Sequence, residues 1–194
     1  MKLIKSRMFL DIGIGILLTL GLSRWFGFEL TNQLLLMGIG FALLPDADVF
    51  VELWQRRGKL GGKMPGFHRT FTHYPLMYLP LVLAVFIMAG GFWALFLGLG
   101  ALAHLLHDSV GTGWGIKWLW PFSKKRYKFF ADKDGSVSAN LIVSWTPAEW
   151  KKAVFQYGDP DWFKHYYLRP SPVFIVEFLV FVLAMTILLV IKST

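Results

Sequence analysis

Five apolar runs punctuate this chain: Met8–Leu22, Thr31–Leu44, Tyr74–Gly90, Phe92–Leu106 and Val173–Ile191. Hydrocarbon offers a backbone no hydrogen-bond partners, so segments of this kind fold as helices when they enter a bilayer. A crossing needs about 20 residues, with about 17 as the lower limit. By that measure only Tyr74–Gly90 and Val173–Ile191 are clearly long enough. The other three reach full length only by recruiting neighbours such as Trp25–Phe28, or enter the bilayer partway. Composition agrees with a membrane protein, at 55% hydrophobic and 16% charged residues, against about 25% charged in soluble domains. The expected fold is all-α: a polytopic membrane protein of about five membrane helices with a small cytoplasmic α+β lobe. Residues 1–116 would form a membrane helical domain, 117–171 an interfacial lobe, and 172–194 a C-terminal membrane helix.

The basic residues orient these helices. With a cytoplasmic N-terminus, eighteen of the 20 lysines and arginines fall inside and only Arg24 and Lys192 outside. Leaving out the long loop 109–172, the ratio is still eight to two. That is a strong positive-inside bias. The net charge of +8 is therefore read as orientation, aided by attraction to anionic lipid, and nucleic acid is not expected as a partner. Residues 1–23 also carry the outline of a signal peptide, with a basic start and small residues at Gly21 and Ser23. Asp11 inside the apolar run argues against cleavage. The expected location is the inner (plasma) membrane, multi-pass, with the C-terminus outside.

Against this background, acids and histidines at the helix ends stand out. Asp46 and Asp48 follow the second run, His68 and His73 precede the third, and His104 and Asp108 close the fourth. The expected topology brings all six to one membrane face, with Asp11 near the same face. Ionisable groups beside membrane spans are costly, and their gathering suggests a metal site. His104 and Asp108 are four residues apart, so on a helix they share a face and can chelate one ion. His107 is a further ligand or supporting donor. A histidine suits a helix C-terminus without any metal, but Asp108 there does not. Asp46 and Asp48, behind Pro45, could equally form an exposed turn; two close carboxylates otherwise ask for a cation between them. The His68–His73 spacing of five is off one helical face, placing one on a loop and the other in a first turn, with Thr72 as N-cap and Pro75 in that turn. Arg69 could hold a phosphate-like anion. The chain has no cysteine, so any metal would sit among imidazole and carboxylate ligands, which suits zinc, manganese or iron.

Four further motifs complete the reading. Gly111–Gly115 is glycine-rich without the Lys-Ser/Thr of a phosphate loop, and reads as a turn. Trp114, Trp118 and Trp120 followed by Lys124, Lys125, Arg126 and Lys128 read as a membrane-interface anchor. Asp132–Gly135 is a hairpin turn between Phe129–Ala131 and Val137–Val143, since a calcium loop would need Glu where Val143 stands. Thr146-Pro147-Ala148-Glu149 is a capping box opening a short helix toward Tyr157. Glu177, early in the last run, is a candidate supporting partner of the site.

The segments LLPDADVF, HRTFTHYPL and HLLHDSVGTGWGIKWLWPFSKKRY together resemble the YdjM-like family of membrane-bound metal-dependent hydrolases. That family is also described as LexA-binding and inner-membrane-associated. Its pattern is Asp-x-Asp after the second helix, His-Arg-x-x-Thr-His, then Ser-His-x-x-x-Asp leading to Trp-Pro-Phe. Here Asp46 and Asp48, His68, Arg69 and His73, His104 and Asp108, and Trp120-Pro121-Phe122 match it, over roughly residues 8–128. Two departures stand out: no histidine precedes the first run, where Asp11 would take its place, and Ala103 stands where serine often precedes the helix histidine. The family is similar, distantly, to zinc-dependent phospholipase C and P1-type nucleases, which implies phosphoester hydrolysis.

The expected function is a membrane-bound hydrolase using divalent metal, zinc first, on a phosphoester of a lipid or other amphiphile at the cytoplasmic face. Asp46, Asp48, His68, His73, His104, Asp108 and Asp11 would be ligands, Arg69 would hold the anion, and Asp46 or His107 would move the proton. The alternative is a metal-stabilised scaffold or a partner-binding regulator. Transport ranks last, because the third and fourth runs carry nothing polar at mid-depth.

Overall fold

The computed structural model describes residues 8–55, 57, 69–110, 113–159, 161, 165 and 172–193. In chain order the elements are α1 (Met8–Phe26), α2 (Asn32–Leu43), a 3-10 turn (Leu44–Ala47), α3 (Asp48–Gln55), a second 3-10 turn (Phe71–His73), α4 (Pro75–Ala89), α5 (Gly91–Val110), β1 (Arg126–Ala131), β2 (Val137–Trp145), α6 (Pro147–Tyr157) and α7 (Pro172–Ser193). The described chain divides into two compact units. One draws on the chain up to Leu44, on Tyr78–His104 and on α7; the other on Pro45–Met77 and Leu105–Tyr166.

Close backbone approach builds the first unit. A Cβ on Gly15 of α1 would lie 2.6 Å from the Cα of Ile39 on α2, so only glycine allows this crossing. On the next turn Thr19 sends its Oγ1 hydrogen back to the Gly15 carbonyl at 2.7 Å, which hides a hydroxyl in the helix itself. Ile16 and Leu35 join Ala184 and Leu188 of α7 in one buried cluster. Leu22 and Leu34 join Phe92 and Phe96 of α5 in another.

These contacts also fix helix directions. Gly15 meets Ile39 while Leu22 meets Leu34, so α1 and α2 are antiparallel. Phe9 packs on Phe174 and Phe178, Gly13 on Phe181, and Ile16 on Ala184, so α1 and α7 are parallel. Phe92 lies with Leu34 and Gly100 against Phe41 and Ala42, so α5 follows α2. Gly98 lies by Val82 and Gly91 by Phe86, so α4 runs against α5. Asp11, Leu44, Tyr78, His104 and the start of α7 therefore lie at one end of this unit.

Among the described residues, four segments are long and apolar enough to cross a membrane: Phe9–Phe26, Asn32–Val51, Gly91–Val110 and Phe174–Ser193. Pro75–Ala89 is shorter, about 22 Å of helix at 1.5 Å per residue. The three shorter runs reach full length by recruiting neighbours, Trp25 and Phe26 in the case of α1, whereas Tyr74–Gly90, expected to be long enough, forms a helix of 15 residues. The reason lies at the polar residues. Asp108 lies inside α5, past Leu106 where the apolar run stops, and both it and His104 are buried there. Pro45 sits in a 3-10 turn that leads directly into α3, where its missing N–H is no loss. In α4, by contrast, the last carbonyls give way to Gly90, whose φ of 88° ends the helix.

The second unit carries a two-stranded antiparallel hairpin. Arg126 pairs with Trp145, Lys128 with Val143 and Ala131 with Val137, with a register break at Phe130. The hairpin is longer at both outer ends than the expected strands. Ala131, Val143 and Trp145 pack on Ala153 of α6, flanked by Trp114 and Trp150. The capping box is formed: Thr146 accepts from the Glu149 N–H, and Glu149 accepts from the Thr146 N–H at 2.7 Å. Thr72 is not an N-cap; it lies inside the 3-10 turn, its hydroxyl 3.1 Å from His73 Nδ1. The indoles of 114–120 also serve the unit's own packing. Trp114 meets Trp145 edge-on, Trp118 donates to Ser109 Oγ at 2.8 Å, and Trp120 stacks on Tyr74. Phe122, just beyond that stretch, is largely exposed.

Candidate metal centre

His73 is the hub of the second unit's polar interior. The 3-10 turn Phe71–His73 buries the imidazole completely, at 0% exposure. Its Nε2 is 3.1 Å from Asp108 Oδ2 and 3.5 Å from Asp46 Oδ1. Its Nδ1 is 3.4 Å from Asp48 Oδ2. The imidazole thus has two carboxylates at one nitrogen and a third, with Thr72, at the other.

Each residue arrives by local logic. Asp46 lies in the 3-10 turn behind Pro45. Asp48 opens α3, where a carboxylate suits the helix N-terminus, and it accepts the Thr70 N–H at 3.3 Å. Asp108 lies in the last turn of α5, where a carboxylate is disfavoured; Arg69 offsets this through Nη2 at 2.5 Å from Asp108 Oδ1, both side chains buried. Asp46, His73 and Asp108 each place a ligand-type atom within 4.8 Å of the others. Asp46 is the more open member, its side chain 18% exposed against 0% for His73 and 6% for Asp108.

Electrostatics agree with a place for a cation. Burial works against a protonated His73, but hydrogen bonds to Asp108, Asp46 and Asp48 outweigh it and raise its pKa to about 9. An imidazolium therefore supplies the positive charge that these three carboxylates call for. Carboxylate oxygens and an imidazole nitrogen are the donor set of divalent zinc, manganese or iron, so the residues present fit such an ion.

In the first unit, Asp11 Oδ1 is 3.2 Å from His104 Nδ1, and both are almost fully buried. Asp11 is thus brought to a histidine one turn ahead of Asp108 on α5. Glu177 is buried in α7 in the same unit. His107 is half-buried on α5, about 100° around the axis from Asp108, and is not a member of the Asp46–His73–Asp108 group. His68 lies outside the described residues.

Two basic residues expected in a membrane-interface anchor, Arg126 and Lys128, are instead buried in the hairpin. Arg126 is 3% exposed and donates to the carbonyls of Gly115 at 2.9 Å and Arg69 at 3.2 Å. Lys128, 2% exposed, donates to the Gly135 carbonyl at 2.8 Å. Burial, and then the charge of Arg69, lowers Arg126 to about 10 and Lys128 to about 8. Tyr74, next to His73, accepts from Lys117 Nζ at 3.0 Å. The available signal was the alternation of Arg126 and Lys128, which puts both on one strand face; nothing in it says that the face turns inward.

Residues 9–194 match the model of a family described as YdjM inner membrane protein. The chain is 43% identical over 103 residues to "Inner membrane protein YbcI" of Escherichia coli (strain K12). That alignment covers 49% of this chain and 57% of the relative, so the chain spans little more than half the length of the curated protein it matches. No solved structure matches the chain.

Proposed function

From the premise that the chain belongs to the YdjM inner membrane protein family, we propose that it is a metal-dependent hydrolase of phosphoesters carried by a lipid or other amphiphile. The observation that carries this reading is the convergence of Asp46, His73 and Asp108 on one another, three side chains separated in sequence by tens of residues. Asp46, His73 through Nε2, and Asp108 are the ligands. Asp48, at the far nitrogen, fixes the ring orientation, as a carboxylate behind a ligating histidine does. In the first unit Asp11 orients the imidazole of His104, the histidine that the sequence pattern offers as a further ligand. A bound divalent ion would supply an activated water and charge neutralisation at phosphorus. Arg69 holds the phosphoryl anion beside Asp108, and Asp46, the solvent-facing carboxylate, takes the proton from water.

The parallel packing of α1 and α7 extends the reading to topology. Parallel spans need an odd number of crossings between them. Asn32–Val51 and Gly91–Val110 provide two, so α4 crosses as well, as a short fifth span. With the N-terminus cytoplasmic, the site faces the cytoplasm and the C-terminus lies outside.

One observation favours the alternative of a metal-stabilised scaffold: His73 and Asp108 are nearly shielded from solvent, as ligands of closed structural sites are. The two readings separate in one experiment. The full chain, purified in detergent and loaded with Zn2+ or Mn2+, is expected to hydrolyse a short-chain phospholipid or an aryl phosphodiester, and Asp46→Asn, which loses both a ligand and the proton acceptor, to weaken metal binding and to abolish turnover even at saturating metal. Bound metal with no hydrolysis of either class would leave the scaffold; no bound metal would remove both.

A further inference from the structure

Arg69 is held in an uncommon backbone state. Its φ is 63°, the left-handed region that a residue with a Cβ enters only under steric strain. Something in the fold must keep it there. Gly113, at φ 101°, lies directly against the Arg69 guanidinium, so that any side chain at 113 would strike it. On the backbone side stands Arg126, whose Nη2 donates to the Arg69 carbonyl while Nη1 donates to Gly115. Its guanidinium carbon lies 4.2 Å over the ring of Trp150 on α6, and among the described residues no carboxylate forms an ion pair with it. Burying a guanidinium near a second cation is costly. A charge that served only to orient membrane helices would lie in water instead.

We propose that Arg126 is a positioning residue: its guanidinium fork locks the Arg69 peptide in the left-handed conformation and so sets where the Arg69 side chain meets Asp108. The hairpin and α6 then have a definite task, which is to carry this clamp, with Trp150 as its backing. The functional weight of the clamp rests on the reading of Arg69 as the anion-holding side chain; the clamp itself does not, nor does its test.

The test is amide hydrogen exchange on the full chain in detergent micelles, without added metal. In the wild type the amides of Thr70, His73 and Tyr74 are tied to Asp48, Thr70 and Phe71. Arg126→Lys keeps the charge, the aliphatic stem and the face of Trp150, but an ammonium lacks the planar fork that reaches two carbonyls. Exchange at 70–74 is expected to rise about tenfold in Arg126→Lys, with the hairpin and α6 amides unchanged. Glycine adopts the left-handed backbone without strain. In the Arg69→Gly background the same Arg126→Lys change is therefore expected to alter exchange by less than about twofold, and to restore folding should the single variant fail to fold. Wild-type exchange in Arg126→Lys would overturn the proposal. So would an even acceleration across the hairpin and 70–74, or an equal effect in both backgrounds. A protein that binds no metal would sink the hydrolase reading and leave this result standing.

Discussion

His73 shows how one side chain can organise a site. Its two nitrogens address different carboxylates, so truncation removes the proposed ligand and also the ring that Asp48 and Thr72 orient. His73→Ala is expected to weaken Zn2+ or Mn2+ binding by at least about 100-fold, the upper end of what losing a mere supporting partner costs; competition titration of the detergent-solubilised chain measures it. Unchanged affinity would mean that the metal sits elsewhere. Lys128 offers a pH test. Its folded pKa of about 8 lies below the ordinary 10.5, so the buried charge destabilises the fold fully below about pH 8. Between those values the unfolded chain holds a proton that the folded chain does not, and stability rises with pH. The stability advantage of Lys128→Met over the wild type is therefore expected to shrink from pH 8 to 10.5. Thermal unfolding at stepped pH checks this; a constant difference would contradict the burial of Lys128. Of these residues, His73, Asp46 and Asp108 were legible in the sequence, because metal-ligand types at the ends of apolar runs are rare. Arg126 and Lys128 were not, because a basic residue in a strand reads the same whether it faces water or a carbonyl.

At the level of elements, glycines decide how closely helices approach. Gly15→Ala would push a methyl into the α2 backbone at Ile39, at a cost of about 1–3 kcal/mol. Gly21→Ala on the same helix meets nothing within 4 Å and is expected to be neutral, or to add a few tenths of a kcal/mol, about what alanine gains over glycine in a helix. Unfolding midpoints of the two variants in detergent should diverge; if they move together, the α1–α2 contact is wrong. Both glycines look alike in the sequence. The capping box at Thr146–Glu149 was legible because its logic is wholly local. Helix lengths were not, because the fourth apolar run stops at Leu106, ahead of Asp108, whereas the fold keeps His104 and Asp108 inside α5 by giving each a partner, Asp11 and Arg69.

For the whole molecule, the parity of helix directions makes the strongest statement. The chain has no cysteine, so single cysteines report sidedness cleanly. Cysteines placed at Gly27 and Gly90 are expected to react with a membrane-impermeant maleimide from the face opposite to that which labels a cysteine at Lys124 or Gly158. Labelling of Gly90 from the Lys124 side would show that α4 turns back within the bilayer, and the count of five crossings would fall. Sequence alone determined that this is a membrane protein of apolar helices, and which acids and imidazoles are candidates for a site. Hydropathy and residue type need no partner to be read. Tertiary structure alone decided that Asp46, His73 and Asp108 meet, that α1 and α7 run parallel, and that the hairpin turns Arg126 inward to the Arg69 backbone. Those outcomes depend on which surfaces pack together, and packing is a property of pairs of segments that no single stretch of sequence contains.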